Sequence, residues 1–130
     1  MTYKFTANHI FNEDDSYMIM LGFADDEFEP SQFVIIQKAH EYDDQDMKLG
    51  MDKLHIQVED QSRSQYGGIS AINVTGNSLV IKLDDSGKSS LKINGDIEIM
   101  VEQNHPNLKS TLFELEKIVK KENILFINKK

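Results

Sequence analysis

Carboxylates crowd two short stretches of this chain. The first sets Asp25, Asp26, Glu27 and Glu29 around the aromatic Phe28, with Pro30 behind them. The second holds Glu41, Asp43, Asp44, Gln45 and Asp46, with Asp52 a few residues on. Grouped carboxylates can exchange protons, ligate a hard cation or grip a basic surface. Acid–base catalysis needs surroundings that move a pKa, and both stretches read as exposed turns where nothing would do so. A calcium loop of the helix–loop–helix kind needs a bidentate glutamate at its twelfth position; counted from Asp43, that position is Leu54. His40, Glu41 and Asp52 allow an improvised site, but the order of ligands singles none out. No metal and no cofactor is therefore expected. A solvated acidic loop and a protein-binding loop remain as readings. Phe28 likewise has two: an anchor ringed by charge, or a cap folded back onto the core.

Other residue types capable of chemistry do not assemble into a centre. His9, His40, His55 and His105 are scattered, with no HxH or HExxH spacing between any two; each reads as a surface or hydrogen-bonded histidine. Gly87-Lys88-Ser89 ends like a phosphate loop, yet position 82, where a glycine is required, is Lys82. No serine stands in a G-x-S-x-G elbow. The absence of cysteine excludes disulfides and thiolate metal sites and fits a reducing compartment. With no visible pairing of nucleophile and base, the chain is not expected to be an enzyme.

Charge narrows the partners. Lys and Arg number 14 against 22 Asp and Glu, a net charge of −8. The acidic excess lies between Glu13 and Asp60, while Lys117, Lys120, Lys121, Lys129 and Lys130 make the C-terminal end basic. Such a field repels a phosphate backbone, so nucleic acid is not an expected partner. It would steer a basic protein inward, although plain solubility accounts for the same charge. The longest apolar run, from Tyr17 to Leu21, falls far short of the ~20 residues that span a bilayer. Met1-Thr2-Tyr3-Lys4-Phe5 has neither a basic nor an apolar leader region. The expectation is one cytoplasmic domain, residues 1–130, without a membrane partner.

The elements that must position these loops are mostly strands. Tyr3, Phe5 and Ala7 alternate with Lys4, Thr6 and Asn8. Tyr17-Met18-Ile19-Met20-Leu21 and Phe33-Val34-Ile35-Ile36 are continuously apolar, which predicts strands covered on both faces. Leu54, Ile56 and Val58 alternate with His55, Gln57 and Glu59, so His55 should face outward. Thr75-Gly76-Asn77-Ser78 predicts a tight turn into Leu79, Ile81 and Leu83. Asp84-Asp85-Ser86-Gly87 opens a loop or helical turn, and Ile97, Ile99 and Val101 form another alternating run. One helix is predicted over residues 106–121, where Leu108, Leu112, Leu115 and Val119 repeat at helical spacing. Pro106 suits its first turn, and lysines suit its end. Ile124-Leu125-Phe126-Ile127 predicts a closing strand. The fold class is α+β: a mostly antiparallel β-sheet with a C-terminal α-helix packed on one face.

Tyr66-Gly67-Gly68 completes the picture. Two glycines suit a bulge or sharp bend, and they also leave Tyr66 free to meet a partner. The order Gln37, Glu41-x-Asp43-x-Gln45-Asp46-x-x-Leu49-Gly50-Met51-Asp52, strand, Tyr66-Gly67-Gly68-Ile69 resembles the immunity protein 10 family, most sharply over residues 37–83. That resemblance implies an immunity protein of a bacterial polymorphic toxin system, which binds and neutralises a cognate toxin without catalysis. It implies a toxin domain as partner and carries no catalytic residue. The residues expected to touch that partner are Asp25, Asp26, Glu27, Phe28, Glu29, Glu41, Asp43, Asp44, Gln45, Asp46 and Tyr66. A small-ligand or divalent-cation binding module is the alternative. An exposed sheet edge would suit a homodimer, and a monomer is equally compatible with the sequence.

Overall fold

A computed structural model describes residues 2–102 and 104–129. Ten strands and three helices are found among them. Strands β1 (Tyr3–Ala7), β2 (His9–Asp14), β3 (Met18–Ala24), β4 (Phe33–Ala39), β5 (His55–Val58) and β6 (Ser64–Tyr66) come first, interrupted between β4 and β5 by the short helix α1 (Asp44–Lys48). Then follow β7 (Ile69–Thr75), β8 (Ser78–Leu83), helix α2 (Asp85–Leu91), β9 (Ile97–Val101), helix α3 (Leu108–Lys121) and β10 (Leu125–Lys129).

The α+β class, the antiparallel majority and the C-terminal helix match the sequence reading. The strands, however, divide into two sheets. β2 to β6 form an antiparallel meander in chain order. The other sheet runs β1-β9-β8-β7-β10; its inner pairs are antiparallel, while β1 lies parallel to β9 and β10 parallel to β7.

Alternation explains the assembly. On the meander it turns Ile10, Leu21, Phe23, Val34, Ile36 and Ile56 to one side. On the second sheet it turns Phe5, Ile72, Leu79, Ile81, Ile97 and Ile99 to one side. Both sets and Leu115, Ile118 and Val119 of α3 belong to a single buried cluster. A fully buried side chain of this size stabilises by roughly 1.5–3 kcal/mol, so neither sheet would hold without the other.

The helix α3 packs against β2 and β10. It starts at Leu108, two residues after Pro106, because Asn107 is the capping residue. The Asn107 side chain donates to the Ile10 carbonyl (2.9 Å) instead of capping its own helix. Asn12 Nδ2 donates to the hydroxyl of buried Thr111 at 2.9 Å. At the other end, the Glu122 carboxylate accepts from the backbone N–H of Leu54 (3.0 Å) and from the Lys38 ammonium. Lys38 Nζ also lies 3.2 Å from the Tyr42 hydroxyl. Burial pulls the Lys38 pKa down, but the bonds to Glu122 and Tyr42 outweigh it and hold the group above its ordinary range. Glu122 thus ties the end of α3 to β4 and to the start of β5.

Two glycines admit a close backbone crossing. A Cβ on Gly87 would stand 2.3 Å from the Gly68 carbonyl oxygen, and Gly68 itself has φ +89°. The Asp84 N–H donates to that same oxygen at 3.0 Å. Gly87 therefore lets α2 lie against the β6–β7 corner, and its likeness to a phosphate loop has a packing origin.

Replacing Glu122 with alanine strips a nearly buried ammonium of its counter-charge, leaving it the Tyr42 hydroxyl alone, and takes the acceptor from the Leu54 N–H. We expect a loss of about 3 kcal/mol in urea unfolding at unchanged slope. Glu122→Gln keeps an acceptor but not the charge and should fall between alanine and wild type.

Candidate functional site

The alternation that buries one side of the meander exposes the other. Three rungs of paired residues cross the outward face: His9, Ala24 and Phe33; then Phe11, Gly22, Ile35 and Gln57; then Glu13, Met20, Gln37, His55 and Tyr66. Met18 and Ala39 add a fourth pair. An antiparallel sheet that faces water normally shows polar residues there. This one shows Phe11, Met18, Met20, Phe33 and Ile35, all half-buried and reached by solvent. The expectation that β3 and β4 are covered on both faces is thus not met: each buries one face only.

The floor is shaped as well as apolar. A Cβ on Gly22 would lie 2.0 Å from Phe11 Cε1, so the phenyl ring crosses directly over this glycine. The His9 ring lies 5.7 Å from that of Phe11. Toward the far end, His55 and Tyr66 meet edge to face at 4.9 Å. His55 faces outward as its strand pattern requires. Its Nδ1 is buried without a partner, and burial lowers its pKa. Of its fellow histidines, His9 also lines this face, His40 Nε2 lies 2.5 Å from Asp14 Oδ1, and His105 Nδ1 accepts from the Asn107 N–H.

A depression marks each end of the face. One, of about 250 Å³, opens beside the β3–β4 loop among Phe11, Ala24, Phe33 and Ile35, with Asp26 and Glu27 at its lip. The other, of about 100 Å³, lies among Met18, Gln37, Tyr42, His55 and Tyr66, with Asp46 and Lys53 alongside. β4 runs from one to the other over roughly 20 Å, at ~3.3 Å per residue.

The two acidic stretches therefore sit at opposite ends of one surface. Asp26 and Glu27 line the first depression; Asp46 and Tyr66 line the second. Asp25, Phe28 and Glu29 share the first loop, and Glu41, Asp43, Asp44 and Gln45 share the second, without lining either hollow. Some of the charge has local work. Asp26 Oδ2 accepts from the N–H groups of Phe28 (3.1 Å) and Glu29 (2.8 Å), and Asp25 Oδ1 accepts from that of Ser31 (2.9 Å). Asp43 and Asp46 cap α1 reciprocally, at 2.7 and 3.1 Å. Phe28 is 85% exposed, which removes the reading that it caps the core. Among the described residues, no lysine or arginine forms an ion pair with any carboxylate of these two loops.

Tyr66 is exposed on the same face, while Gly67 (φ +76°) and Gly68 turn the chain behind it. The bend reading of this tripeptide therefore holds, and the Tyr66 side chain stands open to solvent. Phe11, Met20, Phe33 and Ile35 were missed as surface residues. One signal could have found them: a chain with a single long amphipathic helix cannot cover the second face of a wide sheet.

Among the described residues, no group of three or more histidine, aspartate or glutamate side chains is placed to hold a metal ion. No helix there is long and apolar enough to cross a membrane.

His55 links this face to pH. Burial holds its folded pKa below the ordinary histidine value of about 6.5, so protonation favours the unfolded chain. The contribution is complete above about pH 6.5 and declines as pH falls through that value toward the folded pKa. Between about pH 7 and 5, His55→Gln should show a flatter dependence of melting temperature on pH than wild type. Parallel curves would assign the loss to other groups.

The comparisons with known proteins bear on what such a face is for. A search of curated proteins found no match. The family model for immunity protein 10 matches residues 6–109, a span that takes in β2 to β9, both acidic loops and the entire open face. Well over half the chain is matched, and the chain belongs to the immunity protein 10 family.

Proposed function

We propose that this chain neutralises a cognate toxin domain without catalysis, and that the open face of the meander is the surface that grips it. The carrying observation is an uncovered, half-buried apolar floor with unneutralised carboxylates at both ends. An apolar centre inside a charged rim is the ordinary anatomy of a protein interface. Large side chains such as Phe33, Ile35 and Met20 supply area for anchoring, and Tyr66 adds a hydroxyl.

The acidic ends favour a basic toxin surface. Their long-range field accelerates encounter, whereas the floor determines how long the complex lasts. Inhibition then works by occlusion: the toxin's active surface is covered, and carboxylates stand where anionic substrate groups would otherwise lie. A toxin of a bacterial polymorphic system, made by the same cell or its kin and met in the cytoplasm, fits this reading.

The test uses the cognate toxin domain. Ile35→Glu should raise Kd at least about 100-fold, near 3 kcal/mol, and abolish rescue on co-expression. Its melting temperature should stay close to that of wild type, because residue 35 points outward. Replacing Asp25, Asp26, Glu27 and Glu29 together with lysine should slow association about tenfold or more at low salt, and much less at high salt. Undiminished affinity of Ile35→Glu would place the interface elsewhere.

A further inference from the structure

We infer that the depression beside the β3–β4 loop is a seat for an arginine side chain of the partner. The inference rests on the docking face proposed above and names what one end of it recognises.

Size is the first argument. At about 250 Å³ the hollow is smaller than the roughly 300–1,000 Å³ of a typical small-molecule site. A single long side chain suits it better than a free ligand. Its floor is the second argument. Phe11 and Phe33 supply aromatic surface, Ile35 and Ala24 fill between them, and Gly22 lets the Phe11 ring lie flat.

The lip is the third. Asp26 and Glu27 stand over this apolar floor, and no lysine or arginine among the described residues neutralises them. Asp26 is already oriented, because one of its oxygens accepts from two backbone N–H groups while the other is left for a visitor. A purely apolar anchor would fill the floor but strip water from two carboxylates without giving them a partner in return. A cation with an apolar stem satisfies both levels.

Of the two cationic side chains, arginine matches better. Its planar guanidinium stacks on aromatic faces, is less strongly hydrated than an ammonium, and offers paired N–H groups to a carboxylate. The hollow at the other end lacks this selectivity, since Lys53 lies in it beside Asp46.

The experiment needs only this chain. The ¹⁵N-labelled protein is titrated at constant ionic strength with N-acetyl-arginine methylamide. The neutral isostere N-acetyl-citrulline methylamide and the corresponding lysine compound serve as comparisons. The arginine probe should shift the amides of Ala24, Glu27, Phe33 and Ile35 saturably, with an apparent affinity about tenfold or more above that of citrulline. Combining Asp26→Asn, which keeps an acceptor for the loop's N–H groups, with Glu27→Gln should erase that difference. Equal shifts from citrulline, equal shifts from lysine, shifts centred on residues 43–46, or no saturable shift would each overturn the assignment. Because no toxin is present, the outcome is separate from that of the Ile35→Glu experiment, and either result can fail alone.

Discussion

A sheet has two faces, and this chain has cover for only one face of its meander. The second sheet and α3 together seal the inner side through one continuous apolar cluster. Only three helices are found among the described residues, and the two besides α3 are single or double turns lodged in connections. What lies outside β2 to β5 is therefore left to the solvent, with phenylalanine, isoleucine and methionine on it. Apolar side chains gathered on a face that solvent reaches often mark an interaction surface. The functional reading follows from that imbalance between sheet area and covering elements.

The acidic loops show how local structure and surface charge coexist. Asp43 and Asp46 satisfy backbone donors at the start of α1, and Asp25 and Asp26 do so inside the β3–β4 loop. A carboxylate that accepts a backbone N–H keeps its negative charge, so fixing the loop also fixes the field. The stiffness matters for association, since rigid loops lose less freedom when a partner arrives. The same economy applies to Tyr66, presented by a strand and backed by two glycines in left-handed geometry.

Period-two alternation made most of the architecture legible. It places Tyr3, Phe5 and Ala7 on one side of β1 and turns His55 outward on β5, as found. The repeat of Leu108, Leu115 and Val119 locates α3 within two residues of its start. The division into two sheets was not legible, because alternation reports which side of a strand is apolar and not which strands share hydrogen bonds. Residues 17–21 and 33–36 misled for a related reason. Continuous apolar sequence reads as burial on both sides, and only the count of covering elements tells a strand covered on both faces from one covered on a single face. The loops carrying Asp25 to Glu29 and Glu41 to Asp46 were visible as charge. Their placement at opposite ends of one surface depends on strand order, which the sequence does not state.

The latch at Glu122 lies thirteen residues past the segment that defines the family. Trimming the protein at residue 109 would cut through the first turn of α3 and discard Leu115, Ile118 and Val119 from the core. It would also strip β10 from β7, turning an interior strand into a bare edge able to recruit a neighbour's backbone. The matched segment is thus not a self-sufficient folding unit, and a fragment drawn to its limits would tend toward aggregation.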